Sequence, residues 1–97
     1  MEEREKIVKI IKTVKIKNSL GLHIRPATTI VKSLQTKESN VYFSYNNMTI
    51  NAKSILSILT LVAKKNAKIK ITVEGEDAKI TMDALLNAFE KGFGEEC

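Results

Sequence analysis

Apolar residues recur at two different periods along the 97-residue chain, and the places where the period changes divide it into elements. Between Val8 and Lys17, residues Val8, Ile10, Val14 and Ile16 alternate with mainly polar neighbours, the pattern of a half-buried strand. Asn18-Ser19-Leu20-Gly21 follows as a turn signal. From Ile24 to Thr36 the period lengthens: Ala27, Ile30, Val31 and Leu34 fall on one face of a helix. Pro26 suits the first turn of that helix, where a missing N–H needs no partner. Val41, Phe43 and Tyr45 alternate again, and Met48 and Ile50 resume after Asn46-Asn47. Asn tolerates positive φ, so this pair predicts a tight hairpin. Ser54 to Leu61 reads as a short apolar helix opening on a capping serine. Ile69, Ile71 and Val73 form another alternating run, between Asn66 and Gly75. Ala78, Met82, Leu85 and Phe89 share one face of a last helix over Ala78–Lys91, with Gly92 as its stop.

Mixed strands and helices of this kind predict an α+β domain, a small antiparallel or mixed sheet with helices packed on one face. Lys15, Lys17, Ser44, Lys70 and Thr72 are the polar alternates expected on the sheet's open, watered face. In the apolar helix, Ile58, Leu61 and Val62 are expected to face the core. Ile55, Leu56 and Leu59 then point elsewhere, either into a wider buried arc or into a partner.

Composition narrows the class. The length suits one domain over residues 1–97, too small for most enzymes that need a deep cleft and a second domain. Sixteen Lys and Arg against 11 Asp and Glu give a net charge of +5, which favours encounters with acidic partners. Five aromatics and no Trp supply stacking platforms poorly, so nucleic-acid binding is a minor alternative, and no nucleic-acid partner is expected. Cys97 is the single cysteine, which excludes an intrachain disulfide and points to a reducing, cytoplasmic setting. The charged first residues lack the apolar core of a secretion signal, and no apolar run approaches the ~20 residues of a membrane span, so no membrane insertion is expected. With one His and no acidic spacing motif, neither a metal nor a cofactor is expected.

Candidate chemistry concentrates in Gly21-Leu22-His23-Ile24-Arg25-Pro26-Ala27. It sets the only histidine where a turn meets a helix, beside unpaired backbone N–H groups and the positive end of a dipole. That field stabilises an anion and favours the neutral imidazole, the form able to attack phosphorus. Arg25 can hold phosphate oxygens through paired hydrogen bonds. A plain surface histidine capping a helix explains the same residues. The second candidate segment is Lys53-Ser54-Ile55-Leu56-Ser57-Ile58-Leu59. Ser54 is by default a cap, yet a phosphate there would also sit favourably on the dipole.

Together these two segments resemble the HPr family, the histidine-containing phosphocarriers of the bacterial phosphoenolpyruvate-dependent phosphotransferase system. The resemblance covers about Lys9 to Phe93, leaving an N-terminal extension over residues 1–8. Gly21 to Ala27 matches the family's Gly-x-His-x-Arg-Pro-Ala, and Lys53 to Ile55 its Lys-Ser-Ile signature, at the family's separation. The resemblance implies an open-faced β-sandwich, a four-stranded antiparallel sheet with three helices on one face. It implies His23 as acceptor at Nδ1 of a phosphoryl group from enzyme I, Arg25 as its electrostatic partner, and transfer onward to enzyme IIA-type proteins. It further implies regulatory phosphorylation of Ser54 by an HPr kinase/phosphorylase, and docking of partners over Ile24, Thr28, Lys53, Ile55, Leu56 and Leu59. The protein is then a monomeric carrier, not an enzyme with turnover of its own. A mainly regulatory role read out through Ser54 is the alternative. The chain departs from the family at Ile24, usually Ala, at Ser57, often Gly, and over Val62–Asn66, where the family has a glycine-containing loop.

Overall fold

The computed structural model describes residues 7–97; residues 1–6 of the expected N-terminal extension lie outside them. The elements run β1 (Val8–Lys15), α1 (Ile24–Leu34), β2 (Asn40–Tyr45), β3 (Met48–Asn51), α2 (Ile55–Thr60), β4 (Lys68–Gly75) and α3 (Ala78–Glu90), with a single 3₁₀ turn over Gly92–Gly94. Four strands form one antiparallel sheet in the order β1-β4-β2-β3. The three helices cover one face, so the expected open-faced architecture is the observed one.

Alternation decides which face is buried. Val41 and Phe43 of β2 and Ile69, Ile71 and Val73 of β4 are fully buried, while Lys70 and Lys68 face water. Ala27, Ile30 and Leu34 of α1 and Ala78, Met82, Leu85 and Phe89 of α3 close over them in one core cluster. Burial of each large side chain contributes about 1.5–3 kcal/mol. Phe89 sits edge-to-face on Phe43 at 5.8 Å and on Phe93 at 4.9 Å, so α3 links the sheet to the chain that follows it.

The turns fall where the sequence marks them. Asn46 and Asn47 take φ values of 53° and 66°, the paired positive angles of a tight hairpin. Gly92 ends α3 at φ 57°. Two expectations need correction. Lys17 does not extend the open sheet face: the chain leaves β1 at Lys15, and the Lys17 ammonium pairs with Glu90 at 2.7 Å, at the end of α3. Val62 does not face the core: it follows α2 at φ 49° and is 66 % exposed, because the chain reverses there and carries the side chain off the helical face.

Candidate functional site

Position 23 is built from three separate stretches of chain. Gly21 lies at φ 71° with its α-carbon pressed on the segment after α2, where a Cβ would stand 2.7 Å from the Lys64 Cα. Only glycine fits both demands. The close approach lets Leu22 donate its N–H to the Ala63 carbonyl at 2.9 Å, and Leu22 itself is buried. His23 is thereby fixed as the N-cap of α1, with extended backbone and its carbonyl accepting the Ala27 N–H at 3.1 Å.

Among the described residues no side chain caps the start of this helix. Its first N–H groups have no intrahelical acceptor, Pro26 has none to offer, and the positive dipole end is left open beside the imidazole. Ser54 behaves differently: its Oγ accepts the Ser57 N–H at 3.2 Å, so the start of α2 is closed by its own cap.

The third stretch is the tail after α3. Glu95 places both carboxylate oxygens on His23 Nε2, at 2.9 and 3.0 Å. A carboxylate only accepts, so Nε2 carries a proton at this contact, and in the neutral ring the lone pair falls on Nδ1. No hydrogen bond reaches Nδ1 among the described residues. Asn18 holds the same carboxylate, its Nδ2 donating to Glu95 Oε1 at 2.9 Å and to the Gly21 carbonyl at 2.8 Å. Arg25 Nε lies 3.9 Å from the other oxygen, Oε2. The hydrogen bond with His23 holds the Glu95 carboxyl below its ordinary pKa; the Asn18 bond and the Arg25 guanidinium act in the same direction, against partial burial. The tail is pinned by the Ser19 N–H, which donates to the Glu96 carbonyl at 2.8 Å.

His23 and Arg25 line an open cavity of about 500 Å³ together with Ser19, Leu20, Gly94, Glu95 and Glu96. On its other side His23 borders a smaller cleft of about 220 Å³, lined also by Leu20, Leu22, Leu59, Val62, Ala63 and Lys64. Leu20, Ile24, Leu56 and Val62 are exposed apolar side chains, and Leu20 and Val62 border this smaller cleft.

Of the candidate residues, His23, Arg25 and Leu59 therefore meet around one centre, with Ile24 exposed beside them. Thr28 turns its hydroxyl back to the Ile24 carbonyl at 2.8 Å. Ser54 lines neither cavity. Lys53 is committed locally, its ammonium donating to the Lys37 carbonyl at 3.0 Å. Ile55 and Leu59 are half-buried against the core, while Leu56 is 76 % exposed. Sequence reasoning misses Leu20, Val62, Asn18 and Glu95. Nothing local in the sequence joins residue 95 to residue 23.

The family model described as "PTS HPr component phosphorylation site" matches residues 10–91. The chain belongs to the HPr family. Its function is that of an HPr phosphocarrier of the phosphotransferase system. Among curated HPr proteins, the Phosphocarrier protein HPr of Chlamydia pneumoniae is 37% identical over 94 residues, covering 97% of this chain and 87% of that protein. The crystal structure of HPr-C-His from Thermoanaerobacter tengcongensis superposes with a TM-score of 0.86 at 35% identity, over 91% of this chain and 99% of that one. A structure described as the HPr dimer from the same organism reaches a TM-score of 0.71 at 35% identity, covering 84% and 94%. Glu95 lies beyond the last residue that the HPr family model matches.

Proposed function

We propose that His23 accepts a phosphoryl group on Nδ1 from phosphorylated enzyme I and passes it to enzyme IIA-type proteins. The observation that carries this reading is the division of labour on one ring. Nε2 is engaged by Glu95, and Nδ1 keeps its lone pair next to the uncapped start of α1. A phosphoryl group on Nδ1 meets unpaired N–H groups, a positive dipole end and the exposed Arg25 guanidinium, each of which stabilises added negative charge. Incubation of the full chain with enzyme I and phosphoenolpyruvate should add one acid-labile, alkali-stable phosphate. His23→Ala should abolish it; a retained label on that variant would remove His23 from the role.

Ile24, Thr28, Lys53, Ile55, Leu56 and Leu59 form the docking surface in this reading, joined by Leu20 and Val62. Exposure of Ile24 and Leu56 supports it. The chain works as a single-domain monomer in the cytoplasm, and among the described residues no helix is long and apolar enough to cross a membrane. Sedimentation at working concentration tests the monomer.

Ser54 is the regulatory acceptor for an HPr kinase/phosphorylase. Its hydroxyl already sits at a helix N-cap, where a phosphate is compatible with the helix. ATP-dependent, acid-stable phosphate on Ser54 with negligible onward transfer from His23 would favour the mainly regulatory role instead.

A further inference from the structure

We propose that the open face of the sheet is a docking surface for an anionic phospholipid membrane, with the β2–β3 hairpin end turned to the lipid. The strand register sets out the charges of this face. Lys9 and Lys15 of β1 and Lys68 and Lys70 of β4 lie on it, and Glu74, opposite Lys9, is its one carboxylate among the described residues. Lys15 stands directly opposite Lys68, and Lys70 is next on the same face of β4. None of the four lysines forms an ion pair among the described residues. Like charges placed opposite each other destabilise a sheet. An anionic body laid against the face would remove that repulsion.

The residue types select the kind of anion. Interfaces with proteins favour arginine and aromatic side chains and are depleted in lysine. This face carries no arginine among the described residues, and Tyr42 on it is half-buried. Single-stranded nucleic acid needs exposed rings for its bases to stack on. A membrane surface asks only for mobile cations on a flat face, and lysine is a hydrated point charge on a flexible stem. At the hairpin, Lys68 and Lys70 line an open cavity of about 460 Å³ with Thr13, Ser44 and Thr49, and no carboxylate is among its lining residues. Ammonium and hydroxyl groups in this arrangement can hold a headgroup phosphate. Met48, on the rim of the same cavity, is 40 % exposed and can enter the boundary below the headgroups. Glu38, Glu74 and Glu76 gather around a different cavity at the far end of β4, so the field tips the molecule hairpin-first. The helices cover the other face, and neither cavity that His23 lines shares a residue with the hairpin cavity. Docking through the sheet therefore leaves the residues around His23 free.

Cosedimentation of the full chain with phosphatidylcholine vesicles, with and without phosphatidylserine, tests this. The protein should pellet with the anionic vesicles only, and rising salt should release it. Lys68→Gln with Lys70→Gln should lower the vesicle partition coefficient roughly 25-fold, about fivefold per lysine. Lys32→Gln with Lys79→Gln, which removes the same charge from exposed positions on α1 and α3, should leave it nearly unchanged. An equal loss from both pairs would overturn the proposal, because net charge and not this face would then govern binding. Failure to bind anionic vesicles would also overturn it, whether or not the face binds a single-stranded oligonucleotide instead. Displacement from vesicles by glycerol phosphate at constant ionic strength would reassign the cavity to a free phosphate ester and end the membrane reading.

Discussion

Glu95 and His23 are 72 residues apart in sequence and share a two-oxygen contact on a single ring nitrogen. One ring nitrogen is occupied by the protein's own tail, and no hydrogen bond reaches the other among the described residues. The contact comes from a residue outside the stretch that the family model matches.

Acid should weaken the fold through Asp77. Its carboxylate accepts the Ser39 hydroxyl in a short hydrogen bond, the Glu38 and Ser39 N–H groups at 2.8 and 2.9 Å, and the Thr81 hydroxyl at 3.3 Å. Led by the Ser39 hydroxyl, these bonds lower its pKa from 3.8 to about 2. A depressed carboxylate contributes stability above its unfolded pKa and loses it as pH falls through the folded one. About 1–2 kcal/mol, discounted for partial exposure, should vanish between pH ~4 and ~2. Urea titrations across that range should show the loss in the native protein and a flatter dependence in Asp77→Asn.

Val62→Gly should stabilise the protein. A β-branched residue at φ 49° is strained by about 1–2 kcal/mol, and this side chain is mostly exposed, so little burial is lost. Set against glycine's greater freedom in the unfolded chain, a net gain of about 0.5–1 kcal/mol is expected. Thermal denaturation measures it. The same substitution removes an apolar residue from the rim beside His23, so binding of partner proteins should weaken while the fold strengthens.

Ser54→Ala should cost about 0.5–2 kcal/mol by leaving the Ser57 N–H without its cap. Ser54→Asp, an equally good cap, should keep native stability while adding charge. The pair separates the serine's structural part from any signal it carries, by denaturation on one side and by transfer assays on the other.

Gly21→Ala should be the most damaging single-atom-scale change near the site. The added Cβ meets the Lys64 backbone at 2.7 Å in a conformation already unfavourable for alanine. A loss of about 2 kcal/mol or more is expected. Because Leu22 and His23 follow directly, the His23 amide and ring resonances should shift even under conditions where the variant stays folded.

Most of the fold is legible in the sequence because each element has one buried side. Val41 and Phe43, or Ile69, Ile71 and Val73, announce their strands by alternation, and Ala27, Ile30 and Leu34 announce α1 by helical spacing. The reading fails where a residue leaves the element that its pattern assumes. Val62 is apolar at helical spacing from Ile58, yet a positive φ takes it out of the helix; Lys17 keeps the strand's alternation, yet the chain has already turned toward Glu90. The expected helix continues to Thr36 but ends at Leu34, where Lys37 donates back to the Leu34 carbonyl and closes the turn. His23 and Arg25 are legible from their place at a helix start and the family motif. Glu95 is not, because a contact across 72 residues is made by topology and leaves no period or spacing behind.

The sheet order has a further consequence for how the chain comes together in time. Among the described residues β1 is the first strand made, yet it pairs with β4 alone, Val8 opposite Gly75. At roughly 5–20 residues per second, the first strand waits on the order of several seconds for its partner to be synthesised. The β2–β3 hairpin needs no such delay. Ordering of the sheet should therefore begin in the middle of the sequence and reach its first strand late. The contact that orients His23 arrives later still, when the last helix brings the tail across.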